Sequence, residues 1–401
     1  MTAVHDLLLM LLVLLAVPVA AVSLYLLLAT LLSGRPVPTL APQPAALRQR
    51  RFDVIVPAHD EAAVITDVVA SLRRLDWPAD CFRIWVIADN CRDATAALAR
   101  AAGAEVQERS HPTLRGKGHA LAWTFEASRL RGWAEAVVVV DADSAVSPNL
   151  LAAFSARIGQ GAGAMQAHHR VLNPQASWRT RLMAIAMTAI HQVRSRGRER
   201  LGLSCGIRGN GWCVTHRVLL QVPYCAYSLA EDIEYGITLG LAGQRVFYVD
   251  EAAVAGLMVS SERAARSQRE RWEQGRWQLV RSRTTTLLRA APGAGGRVCL
   301  DLALDLLVPP LSQVAVGIVL LIGLAGLASL LDAALLTWLW VGLACGACLM
   351  LYVLRGWQLS GVGWRGLVDL LRAPFFVVWK LALLLRARGS GVWVRTRREH
   401  S

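Results

Sequence analysis

Hydrophobic residues form long blocks at the two ends of the chain and short runs in its middle. Residues 7–32 contain no charged side chain, and two further apolar blocks cover 311–331 and 333–354. A helix rises about 1.5 Å per residue, so about 20 apolar residues cross the roughly 30 Å hydrocarbon core of a bilayer. The pattern therefore predicts an N-terminal transmembrane anchor and a C-terminal transmembrane hairpin that turns at Asp332.

A cleaved signal peptide is the alternative interpretation of the first block, because small residues occur at positions 16–21. However, residues 1–6 contain no Lys or Arg, and the apolar run is longer than the usual core of a signal peptide. We therefore expect a retained anchor. Arginines that follow it closely favour a cytoplasmic position for the next domain; they are Arg35, Arg48, Arg50 and Arg51. We expect a multi-pass protein of a bacterial-type inner membrane.

The middle of the chain alternates between short β-rich runs and helical stretches. The runs that we expect to be strands are Phe52–Val56, Arg83–Ala88, Glu105–Gln107 and Ala136–Val140. The stretches that we expect to be helices are Glu61–Leu75, Asp93–Ala102 and Gly118–Leu130. This β-α-β-α order implies a mostly parallel sheet with helices on both faces. The predicted fold class is therefore α/β and Rossmann-like, with transmembrane helices at both ends.

These patterns divide the chain into four parts. We expect an anchor at 1–33, a proline-rich linker at 34–50, a cytoplasmic α/β domain at 51–290 and a membrane region at 291–401. Within the last part we expect the hairpin at about 306–354, an interfacial or re-entrant helix at about 366–385, and a basic tail. The segment 366–385 carries charged residues and a proline, which favour the membrane interface over a full span.

Composition supports a membrane protein and argues against a nucleic-acid-binding one. Hydrophobic residues make up 54% of the chain and charged residues only 18%, which is too apolar for an ordinary soluble protein. The net charge of +14 is concentrated in two segments, 262–290 and 355–401, and both flank apolar blocks. Basic residues in such positions are attracted to anionic lipid headgroups. We therefore expect membrane lipids, and no nucleic acid, as partners.

Two aspartates follow the last predicted strand of the central domain. Asp141 and Asp143 come directly after four valines, and ligands of parallel sheets bind at the carboxyl ends of the strands. In extended chain two such side chains point the same way. Paired carboxylates suit Mg²⁺ or Mn²⁺, which take few protein ligands plus substrate phosphates. A plain turn with acidic residues is the alternative.

Other polar residues follow the earlier strands. Asp89 follows the second strand and is suited to accept hydrogen bonds from a nucleobase imide or a ribose hydroxyl. Asp93 and Thr95 are better explained as helix caps. His59 follows the first strand and has two interpretations, a stacking partner for a base or a loop residue without a ligand.

Basic and acidic residues at two predicted helix starts extend this set. Lys117 lies between Gly116 and Gly118, where glycines let backbone amides approach a phosphate and the lysine adds a charge. A generic glycine turn is the alternative. Glu231 and Asp232 open another helical run. They are either caps stabilised by the helix dipole or a general base for an acceptor hydroxyl.

A basic amphipathic stretch after these residues contains Gln268, Arg271 and Trp272. In a helix the three share one face, because they lie three and four positions apart. An amide and a guanidinium suit a leaving diphosphate, and an indole suits a sugar ring. A helix at the membrane surface, with Arg and Trp at headgroup level, is compatible with the same pattern.

In this order the motifs resemble the membrane-bound branch of the family-2 inverting glycosyltransferases, which have the GT-A fold. That branch includes cellulose-, chitin- and hyaluronan-synthase-like enzymes and lipid glucosyltransferases. The shared pattern is an Asp, a D-x-D, an E-D pair and a Q-x-x-R-W, here Asp89, Asp141/Asp143, Glu231/Asp232 and Gln268/Arg271/Trp272. The resemblance covers residues 51–280 and implies a metal-dependent enzyme that uses a nucleotide-sugar donor with Mg²⁺ or Mn²⁺.

The resemblance also implies roles for single residues. Asp232 would be the catalytic base, and Asp143 with Asp141 would bind the metal. The residues implied to bind the donor are Pro57, His59, Glu61, Asp89, Lys117, Asp141, Gln268 and Arg271. Glu231 and Trp272 would border the acceptor. The sequence departs from the family pattern at Ala88, His59, Asp60 and Ala230.

The expected function is transfer of a sugar, from a UDP-sugar by resemblance, to a lipid-linked or saccharide acceptor at the cytoplasmic membrane face. A processive polysaccharide synthase is the alternative, although three spans are few for a closed polymer channel. A non-catalytic scaffold or transport component is a third interpretation. The complete set of acidic and basic motif residues argues against it.

Overall fold

The computed structural model of the protein describes residues 2–34, 48–258, 262–293 and 295–372, without the side chains of 2–3 and 262–270. The predicted linker and the tail beyond residue 372 lie largely outside these ranges. The chain forms two compact units. An α/β unit contains the described parts of 36–180 and 198–306, and a helical unit contains those of 1–35, 181–197 and 307–392.

The α/β unit is built on one sheet. Its strands are β1 (Phe52–Ala58), β2 (Phe82–Asp89), β3 (Glu105–Arg109), β4 (Ala136–Val139), β5 (Ser144–Val146), β6 (Ala164–Val171), β7 (Trp212–Thr215) and β8 (Val246–Gly256). The order across the sheet is β3-β2-β1-β4-β7-β6-β8-β5. Strands β3, β2, β1 and β4 run parallel, as do β6 and β8, whereas β7 and β5 pair antiparallel with their neighbours. The predicted, mostly parallel α/β sheet is confirmed.

Strands β1, β2 and β4 are largely apolar on both faces because both faces are covered. Phe52, Val54 and Val56 of β1 pack into one core cluster. Ile55, which points to the opposite face, packs into a second cluster together with Trp85 of β2. A strand buried on both sides reads as an unbroken apolar run, which explains why these strands could be predicted.

Helices cover the sheet and form the second unit. Those in or joining the α/β unit are α2 (Ile65–Leu72), α3 (Thr95–Ala101), α4 (Lys117–Arg131), α5 (Leu150–Gly159), α6 (Trp178–Thr188), α7 (Arg194–Arg200), α8 (His216–Gln221), α9 (Glu231–Leu241), α10 (Glu262–Ala290) and α11 (Gly296–Leu307). The remaining ones are α1 (Thr2–Leu32), α12 (Leu311–Leu331), α13 (Leu336–Ser360) and α14 (Gly363–Leu370). A π-helical segment, Ala189–Val193, joins α6 to α7.

Three helical segments of the described chain are long and apolar enough to cross a membrane, namely Val4–Leu32, Leu311–Leu331 and Ala333–Ser360. They correspond to the predicted anchor and hairpin. Apolar side chains of α1 pack against those of α12 in one cluster that includes Leu12, Ala16, Val314 and Leu321.

Polar contacts fix which ends of these helices lie together. His5 Nδ1, near the start of α1, lies 2.5 Å from Oδ2 of Asp332 at the turn of the hairpin. At the other end, Arg355 Nη2 donates to the carbonyl of Ser33 at 2.8 Å. The segments that leave α1 and α13 therefore lie at the same end of the helical unit, opposite the hairpin turn.

The π-helical segment is held by α13. The hydroxyl of Tyr352 donates to the carbonyl of Ala189 at 2.7 Å and accepts from Nε of Arg194 at 3.1 Å. Gly356, one turn further along α13, allows this approach, since a Cβ there would lie 2.9 Å from Cβ of Ala189. Isolated π turns of this kind occur mostly inside longer helices, as here between α6 and α7.

The last described helix, α14, is amphipathic. Trp364, Leu367, Val368 and Leu371 are exposed along one side. On the other side Asp369 is buried and accepts a hydrogen bond from Nε of Arg181 at 2.6 Å. These residues cover the first part of the predicted interfacial segment, whereas residues 373–385 lie outside the described residues.

Two local predictions were wrong. The helix predicted to begin at Glu61 begins at Ile65. Strand β4 ends at Val139, and Ala142 and Asp143 form a turn. The backbone N–H of Asp141 donates to Oδ1 of Asn210, and the carbonyl of Asp143 accepts from Leu257 N–H. Because of this turn, the argument from extended chain does not describe the D-x-D segment.

Candidate active site

The sheet has a topological switch point between β1 and β4. The chain runs from β1 outwards to β2 and β3, then returns to place β4 on the other side of β1. In such sheets the crevice outside the carboxyl ends of the strands binds ligands. His59 follows β1, Asp89 ends β2, and Asp141 lies two residues beyond β4, so all three predicted site residues lie at this edge.

Lys117 joins carboxylates from two different elements. It is the first residue of α4 and follows Gly116, whose φ of 106° belongs to the left-handed region that favours glycine. Its Nζ donates to Oδ1 of Asp141 at 2.7 Å and lies 3.7 Å from Oε1 of Glu231. It also donates to the carbonyl of Gly209 at 2.8 Å. The predicted D-x-D, lysine and E-D motifs are thus brought together.

Glu231 and Asp232 are the first two residues of α9. Burial raises the pKa of Glu231 from 4.5 to about 7, and the Lys117 ammonium opposes that shift. Burial also raises the pKa of Asp232, again opposed by Lys117. Both carboxyl groups are therefore better proton acceptors than exposed ones, which suits the role of a general base.

A glycine loop at residues 206–211 forms one wall of the site and was missed by the sequence reasoning. Gly206, Gly209 and Gly211 have φ values of 73°, 84° and 71°, which other residues rarely adopt. A Cβ atom at Gly209 would lie 3.3 Å from Oδ2 of Asp232. The signal in the sequence is the spacing G-x-x-G-x-G, with Arg208 inside it.

Asn210 connects this loop to the D-x-D turn. Its Oδ1 accepts from the Asp141 backbone N–H at 3.0 Å, and its Nδ2 donates to Oγ of Ser144 at 2.7 Å. Gln166 of β6 supports the loop from below, donating from Nε2 to the Asn210 carbonyl at 2.7 Å. The two aspartates are therefore positioned by side chains that are distant in sequence.

The second cluster at this edge surrounds Asp89. Arg109, the last residue of β3, donates from Nη1 to Oδ1 of Asp89 at 2.5 Å, and Asn90 Nδ2 donates to the same oxygen at 3.0 Å. His59 Nδ1 lies 2.7 Å from the Asp89 carbonyl oxygen. Arg109 was missed, although it too stands at the carboxyl end of a strand. The structure thus joins a carboxylate and a guanidinium, which together present acceptors and donors to a ligand.

Asp60, Cys91 and Asp93 have potential ligand atoms within 4.8 Å of one another. The carboxylate oxygens of the two aspartates accept hydrogen bonds from backbone N–H groups of the segments that follow β1 and β2. Oδ1 of Asp60 accepts from Arg92 N–H at 2.6 Å, and the two Asp93 oxygens accept from the N–H groups of Thr95 and Ala62. Asp93 thus accepts from the N–H of Thr95, the first residue of α3, although the cap position itself is Ala94.

Asp141 and Asp143 fit a hard divalent cation in charge and donor type. Asp141, Glu231 and Asp232 place three carboxyl groups near the ammonium of Lys117. Among the described residues no third side chain completes a metal site with the two aspartates. Mg²⁺ and Mn²⁺ sites of this kind take one or two carboxylates and complete their coordination with water and substrate phosphates.

The remaining predicted residues lie in β1, in the loop that follows it and in α10. Pro57 is in β1, and the backbone N–H of Glu61 donates to Oγ1 of Thr95 at 2.8 Å. Arg271 and Trp272 lie in α10, which confirms the predicted helix, and Trp272 is 39% exposed. The side chain of Gln268 lies outside the described residues.

Helix α10 passes close to the start of α9. Gly275 lies against the residue before the E-D pair, since a Cβ there would be 3.0 Å from Cβ of Ala230. Further along α10, Arg283 Nη2 donates to Oε1 of Glu234 at 2.9 Å. Trp272, one turn before Gly275, therefore belongs to the part of α10 that borders the E-D pair.

A protein-family model described as glycosyltransferase like family 2 matches residues 49–275, which is more than half of the chain. Among curated proteins, the chain is 24% identical to the probable glycosyltransferase YdaM of Bacillus subtilis, over 57% of this chain and 56% of the relative. It is 27% identical to the beta-monoglucosyldiacylglycerol synthase of Synechocystis, over 56% and 47%. The chain therefore spans about half the length of these relatives.

A longer match reaches an N-acetylglucosaminyltransferase of Rhizobium leguminosarum, 25% identical over 71% of this chain and 70% of the relative. Among solved structures, a mannosyltransferase from Pyrobaculum calidifontis, in complex with GDP-Man and Mn²⁺, has a TM-score of 0.50 at 19% identity. That match covers 84% of this chain and 97% of the other, and it supports the same GT-A fold.

Proposed function

The chain belongs to the glycosyltransferase like family 2, and we propose that it moves a sugar from a UDP-sugar to a lipid-linked or saccharide acceptor at the cytoplasmic face of a membrane. The observation that carries this proposal is the position of Lys117. Its ammonium is 2.7 Å from Asp141 and 3.7 Å from Glu231, so the groups for a diphosphate and for an acceptor hydroxyl meet in one crevice.

The donor would occupy the edge of the sheet that carries both polar clusters. Asp89 and Arg109 offer an acceptor and a donor for the nucleobase, with the His59 ring beside them. Lys117 and Arg271 would face the diphosphate, where fixed cations stabilise the negative charge that grows on the leaving group. Pro57, Glu61 and Gln268 complete the proposed donor site.

Asp232 would act as the base in a single inverting displacement. It takes the proton of the acceptor hydroxyl while that oxygen bonds to the anomeric carbon, and the bond from this carbon to the diphosphate oxygen breaks. Because burial raises the pKa of Asp232, the carboxylate accepts a proton more readily than an exposed aspartate does. Glu231, beside it, would hold Lys117 between the two halves of the site.

Asp143 and Asp141 would hold the divalent cation. When bound, Mg²⁺ or Mn²⁺ supplies a positive charge that neutralises the diphosphate leaving group. Asp141 is already oriented by Asn210 and Lys117, so its carboxylate is placed before the donor arrives.

An amphiphilic acceptor is supported by the residues around the E-D pair. Tyr227, Leu229 and Trp272 are 50%, 36% and 39% exposed, and an exposed apolar group beside a polar site suits a lipid tail next to a hydroxyl. One similar protein is named as a glucosyldiacylglycerol synthase. We propose a single addition to such an acceptor.

A thermal-shift screen tests the donor part of the proposal. The full chain in detergent would be heated with UDP-, GDP- or dTDP-sugars, each with and without Mn²⁺. A ligand that binds the folded state raises Tm, so we expect UDP-sugars with Mn²⁺ to give the largest rise. If no nucleotide sugar raises Tm with or without Mn²⁺, the proposal is wrong. Asp143→Asn is the matched control and should abolish the effect of Mn²⁺.

A further inference from the structure

A chain of buried charges ties the glycine loop to helix α11. Arg208, within the loop, donates from Nη2 to Oδ2 of Asp305 at 2.8 Å. Arg198 Nη1 lies 3.0 Å from the same oxygen, and its Nε donates to Oδ2 of Asp301 at 2.8 Å. These four side chains are only 3–11% exposed.

Such a network is a costly way to hold two elements together. Taking charges out of water carries a desolvation penalty that their mutual attraction often fails to offset. Apolar residues of similar volume would join the loop to α11 at least as well. The presence of charges at this position, next to the crevice, therefore calls for a role in addition to packing.

Arg208 is fixed by its backbone as well as by its side chain. Its N–H donates to Oε1 of Gln166 at 2.8 Å, and its Nε donates to the Cys205 carbonyl at 3.1 Å. The next residue, Gly209, offers its carbonyl to Lys117 at 2.8 Å and lies against Oδ2 of Asp232. A displacement of Arg208 would therefore move the group that positions Lys117 beside Asp232.

The charge of Arg208 also acts on the site directly. The pKa of Asp232 is raised by burial, and Arg208 is one of the cations that oppose this shift, together with Lys117. Both effects, the position of the Gly209 carbonyl and the local positive charge, depend on the Arg208 guanidinium staying where Asp305 holds it.

We propose that Arg208, anchored by Asp305, is a positioning residue for sugar transfer, which holds the Gly209 carbonyl where Lys117 and Asp232 require it. This inference rests on the proposed function, because it presupposes that Asp232 is the base. It predicts a loss of turnover that reduced stability does not explain.

The α/β unit offers a matched control for the cost of breaking a buried ion pair. Arg157 of α5 and Glu251 of β8 form a pair at 3.0 Å, with side chains 8% and 11% exposed. The Arg208–Asp305 pair has 11% for both. Glu251→Gln and Asp305→Asn therefore remove one charge from ion pairs of similar burial, and only the second pair includes a residue of the glycine loop.

The experiment compares Asp305→Asn, Arg208→Lys, Arg208→Gln, the double variant Arg208→Gln/Asp305→Asn and Glu251→Gln in the full-length protein. For each one Tm, the affinity for UDP with Mn²⁺, and UDP release from UDP-glucose or UDP-N-acetylglucosamine in vesicles of bacterial polar lipids are measured. Turnover is measured at a temperature well below the lowest Tm.

Asp305→Asn and Arg208→Gln are expected to lower kcat at least tenfold while the affinity for UDP changes less than threefold. Arg208→Lys should keep more activity than Arg208→Gln, because it keeps the charge. The double variant should regain Tm relative to Asp305→Asn without regaining kcat, since it also removes the unpaired charge of Arg208, and Arg198 keeps its pair with Asp301. Glu251→Gln should lose Tm comparably and keep kcat within threefold of wild type.

The inference is overturned if the double variant regains kcat together with Tm, or if Glu251→Gln loses as much turnover as Asp305→Asn. Asp232→Asn separates this failure from that of the proposed function. If Asp232→Asn is inactive and Asp305→Asn turns over normally, only the role of Arg208 is wrong. If Asp232→Asn turns over normally, Asp232 is not the base, and the inference about Arg208 fails with it.

Discussion

Glu231 is a buried carboxyl group, and among the described residues Lys117, at 3.7 Å, is the cation that opposes the rise in its pKa. Its neighbour Asp232 carries a second buried carboxyl group, which adds to the rise in the pKa of Glu231. Glu231 and Asp232 are therefore shielded from water, and the ammonium of Lys117 does not balance the charge of both. Active sites hold such groups because function requires them, and stability is lower as a result.

The stability of the protein should depend on pH because of this buried charge. Because burial raises the pKa of Glu231 from 4.5 to about 7 in the folded protein, the folded state binds its proton more tightly than the unfolded chain. The stabilisation that comes from this tighter proton binding is fully present below about pH 4.5 and is lost as the pH rises through about 7. Glu231→Gln, which resembles the neutral acid, should raise Tm relative to wild type more at pH 8 than at pH 5.

The measurement is Tm of both proteins from pH 5 to pH 8. Glu126→Gln is the control, because Glu126 is an exposed residue of α4 whose pKa is lowered by its hydrogen bond with Arg129. It should show no such gain. A Tm difference between Glu231→Gln and wild type that stays constant, or falls, with rising pH would contradict the burial argument.

At this scale the sequence identifies the charged residues of the site but not the residues that position them. Asp141, Lys117 and Asp232 were predicted because carboxylates and a lysine at strand and helix ends indicate chemistry. Asn210 and Gln166, which orient them, are neutral and distant in sequence, so no local pattern marks them. The argument used for Asp89 also applies to Arg109, because Arg109 is the last residue of β3.

At the scale of elements, strands with uninterrupted apolar runs were predicted to within a few residues. Strand β6 was not, because it carries Gln166, His168 and His169 among its apolar residues. Gln166 is tolerated inside the sheet only because loop carbonyls accept its amide hydrogens. That compensation comes from residues more than 40 positions away, so the pattern of β6 alone indicates no strand.

The contact between α13 and the π-helical segment gives a prediction for one element. Gly356→Ala should lower the stability of the helical unit by about 1–3 kcal/mol, as overpacking of a tight interface does. The new Cβ would lie 2.9 Å from Cβ of Ala189 and 3.0 Å from the Ile185 carbonyl. This steric cost outweighs the gain of about 1 kcal/mol that alanine brings to a helix.

Gly346→Ala on the same helix is the matched control. Its Cβ would meet only Ile318 at 3.7 Å, an ordinary contact, so the variant should be neutral or slightly stabilising. Thermal unfolding in the same detergent, followed by loss of helical circular dichroism, compares the two. Equal Tm values for both variants would show that Gly356 is not required for close packing.

At the scale of the whole molecule, the helical unit implies a membrane topology. His5 meets Asp332 at one end, and Arg355 meets Ser33 at the other. With three spans, the N-terminus and the hairpin turn would lie on one side of the membrane, and the ends of α1 and α13 at Leu32 and Ser360 on the other. The basic segments 262–290 and 355–401 favour the cytoplasm for that side.

Reporter fusions test this arrangement. Alkaline phosphatase, which is active only outside the bacterial cytoplasm, should be active when fused after Asp332. Green fluorescent protein, which fluoresces only inside, should fluoresce when fused after Ser360. The reverse pattern, or the same reporter outcome at both positions, would contradict the three-span topology.

Asp232 is the residue on which the account depends most. Turnover and donor binding of Asp232→Asn would be measured together, by transfer from the best UDP-sugar and by the Tm shift with UDP and Mn²⁺. A general base contributes about 10²–10⁴-fold, so transfer should fall by at least 100-fold while the Tm shift stays as in wild type. Transfer above a tenth of the wild-type rate would contradict the assignment of Asp232 as the base.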